Sequence, residues 1–292
     1  MDLPTKDKLQ IARLMYGVVW TARTVARRPM SGVFRRHRLT WHLDLNEGID
    51  FSIYSIGTFE PATIRHYARN IRPGSVVIDI GANIGAHTLP LADIVGSSGS
   101  ILAIEATEYA YAKLLRNIQL NPGLASRVRT FHTLLIESAS SVLPPTEITS
   151  SWPLVGSTND KVLEGGATKT VGRARHQTLD DLVEEVQLSA VDWIKVDVDG
   201  NETTVLKGGI QTLRKFKPKI MIEFAPYCHA SGSFEALIQL LVSIGYHFSR
   251  IPSGEPLPST STELQKIIPH RGSINVLATA HSEDSSLKSL ET

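Results

Sequence analysis

Asp79 sits in an apolar run, Val76-Val77-Ile78-Asp79-Ile80, that breaks into the turn Gly81-Ala82-Asn83-Ile84-Gly85. A second apolar run, Ile101-Leu102-Ala103-Ile104, ends on Glu105. Carboxylates, glycines and an amide in this order suit recognition of a nucleoside. Glycines at 81 and 85 let the backbone turn tightly and admit a ligand where a Cβ would obstruct it. Glu105 follows Gly81 by 24 residues (105 minus 81). An acid about 20 residues past such a turn stands at the tip of the neighbouring strand, within reach of a ribose diol. The dinucleotide pattern Gly-x-Gly-x-x-Gly would need glycines at 83 and 86, where this chain has Asn83 and Ala86. The second of those glycines makes room for a pyrophosphate, so its absence points to a ribose-bearing ligand without one. S-adenosylmethionine is such a ligand. Glu105 is expected to bind its ribose, with Asp79 and Asn83 organising its methionine end.

A second constellation lies at Trp193-Ile194-Lys195-Val196-Asp197-Val198-Asp199-Gly200-Asn201-Glu202. It reads as a buried strand that ends in carboxylates, breaks at Gly200 and enters a helix at Glu202. Ligands of open α/β sheets bind beyond the carboxyl ends of the strands, so Asp197, Asp199 and Glu202 are expected to converge near the first turn. Such carboxylates could act as a base, as magnesium ligands, or as partners for a cationic or hydroxyl-rich substrate. Asp199 as a turn residue and Glu202 as a first-turn acid favoured by the helix dipole are the structural alternatives. Lys195, inside an apolar strand, needs an acidic partner. Lys219 to Glu223 repeats the theme and makes Glu223 a further cleft candidate. His176 and His229 read as surface or core histidines, and Thr178-Leu179-Asp180-Asp181-Leu182 as a capped helix start.

The elements that must position these groups alternate from Pro73 onward, as in a mostly parallel twisted sheet with helices on both faces, an α/β fold. Strands are expected at Ile101–Glu105, Val128–Thr133, Trp193–Val198, Lys219–Phe224 and Ile274–Ala278. Helices are expected at Ala86–Ile94, Ala110–Asn121, Leu179–Glu185, Glu202–Phe216 and Phe234–Ile244. Ahead of them, Leu39 to Leu45 alternates as a half-buried strand, Ile49 to Ile56 reads as its hairpin partner, and a helix opens at Pro61. Ser138 to Arg175 and Pro252 to Pro269 read as long Pro/Ser/Thr-rich segments, the first a candidate cover for a cleft. The divisions implied are a basic helical extension over 1–38, a β-hairpin and helix over 39–72, the main domain over 73–281 and a flexible tail over 282–292.

At 292 residues and 42% hydrophobic, the chain can hold one large core, and its net charge of +1 argues against nucleic acid as a partner. That charge is unevenly distributed. Residues 1–38 hold nine Lys/Arg against Asp2 and Asp7, about +7, which leaves the remainder near −6. Together with the apolar stretch Leu14–Ala22, this suggests a basic amphipathic helix that lies on the protein's own surface or on an anionic membrane. No apolar run is long enough for a transmembrane helix. Cys228 is the single cysteine, which excludes an internal disulfide and a cysteine-rich zinc site and fits a cytoplasmic location.

The segments Gly57 to Glu60, Val77 to Gly85, Thr178 to Leu182, Ile194 to Glu202, Val205 to Gly209 and Pro218 to Glu223 together resemble the FkbM-type methyltransferases, in that family's order. The resemblance spans roughly residues 40–250. It implies the class I methyltransferase (Rossmann-like) fold and S-adenosylmethionine-dependent transfer to a hydroxyl of a sugar, glycan or polyketide-like acceptor. Asp199 stands where the family usually has Glu, and Glu105-Ala106 where Glu-Pro is common. Within this picture Thr58 and Glu60 assist at the methionine end. Asp197 is the preferred base or acceptor-orienting group, with Glu202 and Glu223 as further catalytic candidates. A magnesium ion bridging Asp197 and another acid is left open. The rival readings are an NAD-dependent oxidoreductase, and a non-catalytic membrane-surface binding protein built on a degenerate nucleotide fold.

Overall fold

The computed structural model describes residues 5–138, 145–151, 153–154 and 167–280, with side chains placed from Arg13 onward except at 149–151. Its centre is the set of apolar runs read above. β3 (Val76–Ile80), β4 (Ser100–Glu105), β9 (Trp193–Val196) and β10 (Lys219–Phe224) are almost wholly buried. Strands covered by helices on both faces lose the polar alternation of a half-exposed sheet.

Nine strands form one sheet in the order β12-β11-β13-β10-β9-β3-β4-β5-β8. The remaining members are β5 (Val128–Leu135), β8 (Arg175–Gln177), β11 (Tyr246–Arg250), β12 (Pro256–Leu257) and β13 (Ile274–Ala280). From β8 to β10 neighbouring strands run parallel, while β13 lies antiparallel between β10 and β11. Chain order runs outward from β3 through β4 and β5, then returns to β9 on the other side of β3. That reversal creates a crevice beyond the carboxyl ends of β3 and β9.

Helices α4 (Thr88–Ile94), α5 (Glu108–Gln119), α7 (Leu179–Val186), α8 (Glu202–Lys207), α9 (Ile210–Phe216) and α10 (Ser233–Ser243) follow the central strands; α6 (Pro122–Ala125) is a single turn after α5. One apolar cluster under the sheet joins Ile78, Ile194, Ile220 and Val276, and a second, on the opposite face, joins Val77, Trp193, Met221 and Tyr67.

The N-terminal region departs from expectation. α1 (Thr5–Val25) is followed by a hairpin of β1 (Ser31–Arg36) and β2 (Leu39–Asp44), so a division at 38/39 cuts through the hairpin turn. Ile49 to Ile56 is not a strand but helix α2 (Gly48–Ile56). A strand would turn Asp50 away from Phe51 and Ile53, whereas all three are buried, and Asp50 pairs with Lys113 of α5. The helix geometry lets them share one buried flank. Gly57, at φ +89°, ends α2, and α3 (Pro61–Asn70) begins at Pro61 as expected.

The hairpin is fastened by two asparagines four residues apart, Asn117 in the last turn of α5 and Asn121 just beyond it. Asn117 accepts from the His42 N–H at 2.7 Å, and Asn121 exchanges hydrogen bonds with both backbone groups of Thr40. These side chains replace the partner strand that the outer edge of β2 lacks.

Three further differences have local causes. The expected helix Glu202–Phe216 is two helices, interrupted at Gly208-Gly209, where a Cβ on Gly208 would lie 2.3 Å from the Ile136 carbonyl. Asp180 then caps α9 by accepting from the Gln211 and Thr212 N–H groups. Residues 252–269 contain β12 and helix α11 (Ser261–Ile267), whose N-cap Thr260 accepts from the Glu263 N–H. In the segment 138–175, β6 (Glu147–Ser151) and β7 (Ala167–Thr170) pair antiparallel, and the Leu154 N–H bonds to the Asn46 carbonyl. The rest of that segment, 139–144, 152 and 155–166, and the expected tail at 282–292 lie outside the described residues. No helix among the described residues is long and apolar enough to cross a membrane.

Candidate active site

The carboxyl ends of three adjacent strands set out the site. In register, Ile80 stands beside Val196 and Val196 beside Ile222, so Gly81, Asp197 and Glu223 follow side by side across β3, β9 and β10. Glu223 is in turn opposite Asn275 of β13. Side chains alternate along a strand, which puts Asp79, Lys195, Asp197 and Glu223 on the face covered by α3 and α4.

Lys195 is the hub. Its Nζ donates to the Gly81 carbonyl at 2.9 Å and lies 3.5 Å from Asp79 Oδ1 and 3.4 Å from Asp197 Oδ2. Burial opposes its charge, but the nearby Asp197, Asp79 and Glu60 carboxylates outweigh burial and hold the ammonium above its ordinary pKa. Asp79 is fully buried, and its other oxygen accepts from the Thr88 hydroxyl at 2.6 Å. It therefore lies behind the turn, connected to the Gly81 carbonyl through Lys195. Asp197 differs: its side chain is 39% exposed and opens on the crevice.

The turn is built for close approach. Gly81 has φ +75°, and a Cβ there would lie 1.9 Å from the Asp197 carbonyl, so no other residue fits. Asn83 adopts φ +48° and accepts from the Ile84 N–H at 2.8 Å, while Gly85 has φ +91°. Glu105 Oε2 accepts from the Asn83 N–H at 3.0 Å, and Oε1 from the N–H and hydroxyl of Thr107 at 2.8 and 2.7 Å. At 5% exposure the carboxylate braces two loops. Burial pushes its pKa up and these hydrogen bonds pull it back. An ionised carboxylate has about four acceptor positions, so room for a ribose hydroxyl remains.

Glu202 is turned inward. It is 3% exposed; Oε1 accepts from the Val198 and Gly200 N–H groups, both at 3.2 Å, and Oε2 lies 3.3 Å from His229 Nε2. The strand-to-helix turn leaves N–H groups that need an acceptor, and Glu202 supplies one. It positions the Val198–Gly200 turn. Asp199, at φ +48°, sits at the apex of that turn. Burial, then the Asp197 and Glu202 charges, push its pKa up to about 7. Glu223 accepts from the Ser273 hydroxyl, and burial followed by the Asp197 charge raises its pKa to about 8.

Glu60 and Thr58 come from the loop before α3. Glu60 has φ +45°, and its Oε2 accepts from Asn275 Nδ2 at 3.4 Å and lies 3.8 Å from His87 Nε2. Thr58 makes a local bond to the Phe59 carbonyl at 3.1 Å. His87, Tyr67, Thr88 and Asn275 escape the sequence reading. His87 is buried, with Nδ1 3.3 Å from the Tyr67 hydroxyl; burial, then the Lys195 charge, lower its pKa and keep the ring neutral. Its position two residues after Gly85 was the available signal, whereas Asn275 reaches the site only through the last strand. Among the described residues no three His, Cys, Asp or Glu side chains gather as a metal cage would require.

The site thus lies at a strand-order reversal, with carboxylates beside a glycine turn. A family profile described as "Methyltransferase FkbM domain" matches residues 79–248, from Asp79 in β3 to Phe248 in β11. The chain belongs to the FkbM methyltransferase family. The match sets aside the oxidoreductase reading. Hexuronic acid methyltransferase AglP of Haloferax volcanii is 28% identical over 156 residues, 53% of this chain and 58% of that relative, so the chain spans little more than half the relative it matches. Among solved structures, methyltransferase FkbM from Methylobacillus flagellatus KT has 18% identity and a TM-score of 0.47, covering 77% of this chain and 49% of that one. Aeropyrum pernix fibrillarin, solved with natively bound S-adenosyl-L-methionine, has 11% identity and a TM-score of 0.43, covering 85% and 82%.

Proposed function

We propose that this methyltransferase takes its methyl group from S-adenosylmethionine and transfers it to a hydroxyl of a sugar, glycan or polyketide-like acceptor. The observation that carries this reading is the row Gly81–Asp197–Glu223 beside the Lys195 ion pairs, with Glu105 one strand away. The donor set fits: Glu105 for a ribose, the Gly81–Gly85 turn for close backbone approach, and Glu60 for an ammonium. When bound, the donor supplies a methyl already activated as a sulfonium.

The chain's own residues have two tasks. Asp197 accepts the proton of the acceptor hydroxyl, or holds that hydroxyl in line with the methyl. Glu223, which follows Ile222 as Asp197 follows Val196 in the register of β10 and β9, orients the acceptor. Alignment of this kind lowers barriers by roughly 7–11 kcal/mol in favourable intramolecular cases, and a general base adds about 10²–10⁴-fold. Lys195 holds Asp197 and the turn in one geometry.

An uncharged acceptor is favoured by charge. The Asp197 and Glu60 carboxylates beside Lys195 oppose an acceptor carboxylate, so the hexuronic acid in the relative's name is not carried over to this chain. Incubation with isotopically methyl-labelled S-adenosylmethionine and a panel of hydroxylated and uronic acid glycans tests this. Label is expected on a hydroxyl of a neutral acceptor. Label confined to uronates, or to nitrogen, overturns the acceptor assignment.

A further inference from the structure

We propose that α1 and the β1–β2 hairpin form a docking surface for an anionic lipid bilayer. The observation is an apolar stripe facing outward next to unpaired basic side chains. Leu14, Val18 and Val25 are 75, 67 and 80% exposed. At 3.6 residues per turn they fall within about 40° of one another. Tyr16 points the other way, edge-on to Phe51 at 5.7 Å and donating to Asn46 at 2.8 Å. The inner face of α1 thus has its partner, and the outer face has none among the described residues. Val33 on the hairpin's outward side is 52% exposed.

Charge chooses the occupant. From Leu9 to Leu43 the chain has seven arginines and no acid. Arg23 and Arg36 turn inward, 5.2 Å from the Phe34 ring and 4.4 Å from the Tyr54 ring. Arg27 and Arg28, directly after Val25, and Arg35 and Arg38 on the hairpin, are exposed. A helix that buries an apolar stripe at the headgroup level with arginines alongside is the arrangement that binds anionic membranes. A second copy of this chain would set arginines against arginines.

Co-sedimentation of the full chain with vesicles tests the assignment. The protein should pellet with phosphatidylglycerol-containing vesicles at low salt, be released at high salt, and ignore phosphatidylcholine alone. Each exposed arginine is worth roughly fivefold in partitioning, so Arg28→Gln/Arg35→Gln/Arg38→Gln should weaken binding about 100-fold, with circular dichroism and melting temperature unchanged. Leu14→Ser/Val18→Ser, on the exposed stripe, should also release the protein and keep its fold. Failure to bind anionic vesicles, equal binding to both lipids, or a salt-insensitive dimer abolished by Leu14→Ser/Val18→Ser overturns the proposal.

Discussion

Lys195→Met keeps the length of the side chain and removes its charge, and its effect follows from the contacts of Nζ. The side chain is 3% exposed, and Nζ serves the Gly81 carbonyl at 2.9 Å, Asp79 at 3.5 Å and Asp197 at 3.4 Å. The loss strands Asp79, fully buried, with Thr88 as its remaining hydrogen-bond partner among the described residues. Removing one partner of a buried ion pair costs about 3–5 kcal/mol. Asp197 contributes less of this because it reaches solvent. Urea unfolding at neutral pH should therefore show a loss near 3 kcal/mol. Lys195→Met/Asp79→Asn should recover part of it, since both members of the pair are then gone. A single-variant loss under 1 kcal/mol, or a double variant less stable than the single, would show that Lys195 is not the hub of the site.

Glu105→Gln should weaken binding of S-adenosylmethionine with a modest stability loss, whereas Glu105→Ala should also cost at least one bond to a charged acceptor, roughly 1.5–3 kcal/mol; calorimetry and urea midpoints separate the two, and unchanged affinity in Glu105→Gln removes it as the ribose ligand. Asp197→Asn should lower kcat by about 10²–10⁴-fold with little change in donor affinity, and near-normal turnover retires it as the base. Full activity after EDTA treatment would exclude a magnesium bridge at Asp197. Glu223 and Asp199, raised to about 8 and about 7 in the fold, sit near 4 in an unfolded chain. Between those values the folded state binds more protons, so their contribution to stability is fully present below about pH 4 and lost as pH rises through 7–8. The urea midpoint should fall from pH 7 to 8.5, and Glu223→Gln should flatten the slope; a midpoint that rises contradicts the assignment.

The parallel core was legible because apolar runs such as Ile101 to Ile104 need burial on both faces, and Lys219–Phe224 was placed to the residue. The hairpin was misread because Ile49, Phe51 and Ile53 recur every second residue as in a strand, in a stretch too short to show a helical period. What decides between them is the pairing of Asp50 with Lys113, 63 residues away. Helix α11 was hidden in a polar segment whose one fully buried apolar residue is Leu264. At the site, residue type and strand position indicated Asp197, Glu223 and Glu105. They did not reveal that Glu202 turns back onto its own loop or that Asp79 lies behind the turn. Both depend on which backbone N–H groups and which ammonium need a partner, and that is set by the fold.

The central claim is that this crevice holds S-adenosylmethionine. Calorimetric titration of the protein with S-adenosylmethionine and with NAD, under one set of conditions, tests it directly. The account predicts saturable binding of S-adenosylmethionine and none of NAD, and at 100 times its Kd the donor should stabilise the fold by about 2.7 kcal/mol. Preferential binding of NAD, or no binding of S-adenosylmethionine by folded protein, would contradict it.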